Sequence, residues 1–193
     1  MKKASLFVML FAVLLSAFAL QPARKRAPRK KARVEDKRVY LVHSDNLHYD
    51  QYRNGDAQVL HGNVHFRHMG ANLYCDSAHF YEQSNSFRAW GHVKMQQGDT
   101  LRLTSDYAYY DGNEQLAQAR HNVILKHRKS TLYTDSLDFD RMYNFGNFFE
   151  GGKLVDGTAV LTSDWGEYHT DTKMAMFYYD VRLKDKNLYL HLV

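Results

Sequence analysis

Five aspartates recur along the chain at nearly constant spacing, and they are the first candidates for chemistry. They follow one another at intervals of 31, 30, 29 and 29 residues: Asp45, Asp76, Asp106, Asp135 and Asp164. Two carboxyl groups facing each other about 5–9 Å apart would suit hydrolysis of a glycosidic bond. Each aspartate, however, has the same place in an echoing segment such as LRLTSDYAYYDG. A repeated position is better explained by a repeated structural need, so we predict structural corners rather than catalytic groups.

The other reactive residue types do not form a convincing site either. On a strand, His61 and His65 would share a face but lie about 13 Å apart, too far to hold one ion. No nucleophile elbow or Gly-rich phosphate loop occurs. The lone Cys75 cannot form an internal disulfide, and we interpret it as a packed thiol. We therefore expect no enzyme activity, no cofactor and no metal site.

The segments around the aspartates carry a strand pattern. Each aspartate follows a small residue, and apolar or small residues lie three positions before it and two and four after it. Because Leu103 and Ala108 are five residues apart, a bulge or corner at the intervening Ser-Asp pair is needed to turn both side chains inward. In the second half of each repeat, strict alternation such as that from Phe87 to Met95 predicts a strand with one buried face. The glycines of FGNFFEGGKLVDG predict a bulge or widened turn in the fourth repeat.

These patterns predict an all-β protein of repeated antiparallel strands. Each repeat of about 30 residues would contain a bent strand, a turn, a long strand and a second turn. The chain ends on a strand whose Leu188 and Leu190 match Leu101 and Leu103, so this last edge is predicted to be open for pairing with another chain.

The N-terminus predicts export. Residues 1–19 read as a signal peptide, with cleavage expected after Ala19 and an uncleaved membrane anchor as the alternative. Residues 20–38 read as a basic linker, and residues 39–193 as the exported domain, which we place in the periplasm. The linker is interpreted as a solvated segment, or alternatively as one attracted to anionic lipid head groups. From residue 39 onwards 19 acidic side chains outnumber 15 basic ones, which excludes a nucleic-acid-binding face.

The repeated [ST]D-x-[AL]-x-[FY] corner, followed by a strand such as SFRAWGHVKM, resembles the OstA-like family. That family includes LptA, the periplasmic component of lipopolysaccharide transport, and the N-terminal domain of LptD. The resemblance covers residues 39–193. It implies a twisted, open β-jellyroll that shields lipid acyl chains, and end-to-end edge pairing with itself or with LptC-like and LptD-like components. An anchored LptC-like protein is implied if the signal is kept.

The resemblance also implies a lining for a lipid groove. Small inward residues such as Ala89 and Ala108 would leave room, and an acyl chain buries about 0.8 kcal/mol per CH₂. The alternative is that the same side chains fill a dry core. The candidates for the lining are Phe80, Phe87, Val93, Met95, Leu101, Leu103, Tyr110, Val123, Leu125, Leu132, Phe139, Val181 and Leu183.

A second function from another class stays open at this point. A carbohydrate-binding or carbohydrate-active β-solenoid of the cell envelope would display aspartates and tyrosines on one face. It predicts that Asp76→Asn, Asp106→Asn or Asp135→Asn abolishes activity without loss of stability, whereas structural corners predict a loss of stability of about 1–3 kcal/mol.

Overall fold

The structure, a computed structural model, describes residues 37–49, 55–186 and 188–192. The predicted signal peptide and all but the last two residues of the predicted basic linker lie outside these ranges. In the part of the chain that is described, no helix is long and apolar enough to cross a membrane.

Fifteen antiparallel strands of the described residues form one continuous sheet. The prediction of an all-β protein built from repeated antiparallel strands is therefore confirmed. The strands are β1 (Tyr40–His43), β2 (Asn46–Tyr49), β3 (Gln58–His68), β4 (Ala71–Tyr81), β5 (Ser86–Gln97), β6 (Leu101–Asp111), β7 (Leu116–His127), β8 (Ser130–Asp140), β9 (Phe145–Phe148), β10 (Gly152–Asp156), β11 (Ala159–Ser163), β12 (Trp165–His169), β13 (Ala175–Tyr178), β14 (Val181–Asp185) and β15 (Leu188–Leu192).

The sheet is bent along a line through the middle of its long strands, which divides it into two layers. The first layer runs from β2 through one half of each of β3 to β8 and continues into β9, β12 and β13. The second layer runs from β1 through the other halves and continues into β10, β11, β14 and β15. Strands β3 to β8 cross the bend unbroken, whereas the glycine-rich fourth repeat is split into β9 and β10. The strand break lies where the sequence predicted a bulge or widened turn.

The bend is built from a change of face in one strand and an extra residue in its neighbour. In β6 both Leu103 and Ala108 are buried, as predicted from their odd spacing. Between Trp90 and Val93, however, β5 advances three residues while β6 advances two, so the residue in excess lies in β5 and not in the aspartate segment. Two successive residues there, Gly91 and His92, have positive φ angles of 74° and 44°. This is the geometry of a bulge, which bends a sheet and increases its twist.

The two layers face each other across a single apolar core. Phe66 of the second layer stacks on Phe87 of the first, with ring centroids 4.4 Å apart, and lies 5.4 Å from Phe80. Alanines at the same repeat positions, such as Ala89 and Ala119, are completely buried and let the backbones approach. The result is a twisted antiparallel roll whose two ends, β1 with β2 and β13 with β15, are not paired to each other among the described strands.

Candidate functional site

Of the thirteen residues predicted to line a lipid groove, ten belong to the apolar core and Leu101 packs against it, whereas Val181 and Leu183 lie outside that core. Three of them, Leu101, Val181 and Leu183, are half-buried. The other ten are buried within one continuous cluster: Phe80, Phe87, Val93, Met95, Leu103, Tyr110, Val123, Leu125, Leu132 and Phe139. Their common position follows from the repeat, because equivalent residues of successive strands stack across the sheet.

Several core residues were missed by the sequence prediction. Phe66 and Phe148 are each 1% exposed and belong to the same cluster. Phe66 occupies the repeat position of Met95 and Leu125, so the alternation of its strand could have identified it. Phe148 lies in the irregular fourth repeat, where the alternating pattern is interrupted, and no comparable signal marks it.

The inward side chains fill the space between the layers. The crevice bounded by Phe66, Leu73, Phe87 and Met95 has a volume of about 10 Å³, roughly that of one water probe. An acyl chain does not fit this crevice, so any hydrocarbon that enters must push the layers apart or displace side chains. Met95 is suited to such rearrangement because its unbranched thioether fills irregular spaces.

The free margins of the two layers meet along a line that we call the seam, opposite the bend. At its first contact, the Tyr110 hydroxyl of the first layer lies 2.7 Å from His68 Nδ1 of the second. Arg141, in the turn after β8, donates through Nη1 to the Tyr110 hydroxyl at 2.6 Å and through Nη2 to the Met69 carbonyl at 3.1 Å. Its Nε donates to Gln97 Oε1 at 3.0 Å. Burial raises the pKa of Tyr110, while the nearby guanidinium partly opposes that change.

A second contact closes the seam two repeats further along. His127 Nδ1 of the second layer lies 2.9 Å from the hydroxyl of Tyr168 in the first. His127 and Tyr168 hold places in the repeat that correspond to those of His68 and Tyr110. Burial, with help from the charges of Arg128 and Lys173, lowers the pKa of His127. Burial raises the pKa of Tyr168.

The first described residues close the N-terminal end of the same seam. The Val39 N–H donates to Asn85 Oδ1 at 2.7 Å, and Val39 is buried in the core. The Lys37 carbonyl accepts a bond from Asn85 Nδ2 at 2.9 Å and lies 3.1 Å from His68 Nε2. Across the seam, therefore, the contacts are side-chain bonds and apolar packing, whereas the backbone ladders run within each layer.

The five aspartates lie on the outside of the bend, and all five are exposed. Asp76 Oδ2 lies 2.7 Å from His92 Nδ1, and Asp106 Oδ2 accepts a bond from Asn122 Nδ2 at 2.6 Å. The hydroxyl that precedes an aspartate bonds the backbone, as when Ser105 Oγ donates to the Tyr107 carbonyl at 2.9 Å. The role of the five aspartates as structural corners stays a prediction.

In the described part of the chain, residues that could do other chemistry are not brought together. Cys75 is buried, and burial raises the pKa of its thiol to about 12, so it is held in the unreactive protonated form. Among the described residues, no group of three or more His, Cys, Asp and Glu side chains could hold a metal ion. The absence of catalysis stays a prediction.

Fold and site together define a class of protein: an open antiparallel β-roll whose repeated strands enclose an apolar interior between two layers. The chain belongs to the OstA-like protein family, whose model matches residues 36–191. A search of curated proteins found no match. Among solved structures, the chain is similar in fold to LptH from Pseudomonas aeruginosa, described as the LptA-homologous periplasmic component of the conserved lipopolysaccharide transport device. The two share 14% sequence identity with a TM-score of 0.53, over 56% of this chain and 82% of LptH.

Proposed function

We propose that this protein is a non-catalytic lipid carrier of the periplasm that serves lipopolysaccharide transport and outer-membrane assembly. The observation that carries the proposal is the apolar interior, which runs without interruption through successive repeats between the two layers. Family membership and the likeness in fold to LptH support the same function. The five aspartates of the repeat lie one at each bend and on the outer surface, which does not favour the carbohydrate-active alternative.

The architecture allows the interior to open at low cost in backbone hydrogen bonds. Each layer keeps its own ladder, and within the described residues the layers are joined covalently only at the bend. Separating them at the seam breaks side-chain bonds such as His68–Tyr110 and exposes apolar surface. An entering acyl chain covers that surface again, and each buried CH₂ contributes about 0.8 kcal/mol. Lipid binding of this kind requires no catalytic group.

The two ends of the sheet supply sites for partners. Strands β1 and β2 end it on one side, and β13 and β15 on the other, within the described residues. Exposed apolar side chains lie at both ends, including Val42 and Leu47 on one and Leu188 and Leu190 on the other. We infer that these edges pair with LptC-like and LptD-like components of the same fold, or head to tail with further copies of this chain.

Site-specific photo-crosslinking tests the interior as the path of the lipid. A photoreactive phenylalanine analogue placed at Phe87 or Leu125, each 2% exposed, should capture lipopolysaccharide in intact cells. The neighbouring positions Arg88 and Lys126 point outward on the same strands and serve as matched controls. We expect capture from the two inward positions and little from the two controls.

Capture that is equal from inward and outward positions would contradict transport through the interior. Capture of lipopolysaccharide by none of the four, in cells where the variants are stable and exported, would contradict the proposed function altogether.

A further inference from the structure

The seam contains a buried positive charge whose role is not explained by packing alone. Arg141 is 6% exposed. Its guanidinium contacts Gln97, Tyr110 and Met69 through neutral oxygens, and Nη1 also lies 3.5 Å from His68 Nδ1. Among the described residues, no carboxylate forms an ion pair with it. Burying a cation without a counter-charge costs several kcal/mol, so such groups are normally paired.

The described neighbours that Arg141 bonds through oxygen do not neutralise this charge. The pKa of Tyr110 is raised by burial, so its hydroxyl remains neutral. Gln97 stands where a glutamate would have completed an ion pair. The bonds to Met69, Gln97, Tyr110 and His68 leave one N–H of Nη2 without a partner among the described residues. The guanidinium therefore keeps both its charge and a donor for an incoming anion.

The position of Arg141 matches one kind of ligand. The guanidinium lies at the margin of the crevice whose other walls are Phe66, Leu73, Phe87 and Met95. A cation at the mouth of an apolar space suits an amphiphile with an anionic head and a hydrocarbon body. Guanidinium groups bind phosphate through two parallel hydrogen bonds, which gives both charge and geometric complementarity.

We propose that Arg141 binds the phosphate of a phosphorylated lipid whose hydrocarbon chain enters between the two layers at the seam. This inference rests on the proposed function and adds the head-group chemistry that the interior selects. In the absence of lipid, Arg141 bonds the seam closed through Tyr110, Gln97 and Met69. The arriving phosphate replaces those neutral partners with a charged one, which couples recognition of the head group to opening of the seam.

The test compares two lipids that differ only in the phosphate. 1-Myristoyl-lysophosphatidate and 1-monomyristin are titrated below their micellar concentrations into the exported domain by calorimetry. We expect the phosphorylated lipid to bind about 10- to 100-fold more tightly, the range of one charge-assisted hydrogen-bond site. Arg141→Gln should abolish this preference and leave monomyristin binding in place.

Two further variants separate recognition from structure. Gln97→Glu supplies an internal counter-charge at the same place, so it should keep the fold and the seam contact while removing the preference for phosphate. It also covers the case in which Arg141→Gln does not fold. Arg120→Gln is the matched control, because Arg120 lies outside the core and pairs with Asp138 at 2.8 Å. It removes the same charge and should leave the preference intact.

The outcomes are distinct. Equal binding of the two lipids by the unaltered protein, or a preference that survives both Arg141→Gln and Gln97→Glu, overturns the inference and leaves the proposed function standing. If neither lipid binds, both the inference and the proposed function are overturned. Excess inorganic phosphate should not displace the phosphorylated lipid. If inorganic phosphate binds as tightly as the phosphorylated lipid, the site recognises a free anion and the assignment of a lipid ligand is overturned.

Discussion

Among single residues, the aspartates of the repeat act through their partners in the neighbouring bulge. Asp45 bonds Asn63 at 2.9 Å, and Asp106 bonds Asn122 at 2.6 Å. His92 occupies the equivalent place beside Asp76. The bond to Asp76, together with its charge, raises the pKa of His92. At the bend of Asp76 the partner is therefore an imidazole with a raised pKa, whereas at the bend of Asp106 it is the amide of Asn122, which does not titrate. At the bend of Asp45 the amide of Asn63 is joined by an imidazole, since His43 Nε2 lies 3.0 Å from Asp45 Oδ1.

Replacing His92 by asparagine should remove a pH-dependent part of the stability. Because the pKa of His92 is raised on folding, its contribution is complete below the unfolded value of about 6.5 and is lost as the pH rises through the folded value. His92→Asn keeps a hydrogen bond to Asp76 without the charge. Melting temperatures measured at pH 5.5 and pH 8 should therefore show a smaller gain on acidification in the variant.

His79 provides a control of opposite sign. Burial, with the charges of Arg88 and His61, lowers the pKa of His79, so protonation opposes folding as the pH falls below about 6.5. His79→Asn should increase the gain on acidification. Identical pH dependence in the unaltered protein and in His92→Asn would show that the Asp76–His92 pair does not contribute.

At the scale of strands and bends, the sequence predicted the strands and the change of face at the bend, but it did not predict the contacts across the seam. Alternation from Phe87 to Met95 marks a strand with one buried face, and the odd spacing of Leu103 and Ala108 marks the change of face. Both features are local, so one repeat is enough to read them. The extra residue could not be assigned to β5 in the same way, because an excess of one is defined only by the register of two paired strands.

The seam depends on how far the bent sheet winds, which local patterns do not encode. His68 meets Tyr110 and His127 meets Tyr168, pairs that are 42 and 41 residues apart. In each pair, one repeat contacts the second repeat after it. The period was visible in the sequence, but the offset of two repeats follows from the accumulated twist and bend of several strands. Arg141 for the same reason carried no sequence signal.

The bulge requires a glycine at position 91, and this requirement can be tested by substitution. Gly91 has a φ of +74°, and a Cβ placed on it would lie 2.4 Å from Asp76 Oδ2. Gly98 has a φ of +56° but no atom within 4 Å of such a Cβ. Gly98→Ala should cost about 1 kcal/mol from backbone strain alone. Gly91→Ala should cost about 1–3 kcal/mol more, because the carboxylate must also move.

Chemical denaturation of the two variants measures the difference in unfolding free energy. The comparison isolates the contact with Asp76 from the backbone term, since both glycines have positive φ. Equal losses would mean that the aspartate moves aside without cost and that the corner does not depend on its position.

At the scale of the whole molecule, the roll encloses one apolar interior and has two sheet edges, one at each end. Within the described residues β15, which carries Leu188 and Leu190, pairs with β14 and with no other strand, and the open edge predicted there stays a prediction. The opposite end, at β1 and β2, also exposes apolar side chains, among them Val42 at 48%. An interior that continues through every repeat can continue into a neighbouring molecule only if unlike ends meet.

Charges placed on the two edges should distinguish head-to-tail from symmetric association. Lysines at both Leu188 and Leu190, or one at Val42, place charge at a strand edge that must otherwise approach another strand. Each set should reduce self-association in sedimentation velocity without lowering the melting temperature. The matched control is Met142→Lys with Tyr143→Lys, two exposed residues in a turn away from both edges.

Mixing the two edge variants gives the decisive observation. In head-to-tail association each variant retains one intact edge, and the two intact edges are complementary, so the mixture should form dimers that do not extend further. If two copies of β15 instead paired symmetrically, the Val42→Lys variant would dimerise by itself and mixing would add nothing. The first result allows the apolar interior to run from one copy into the next, whereas the second places the interiors back to back and contradicts a continuous path for lipid.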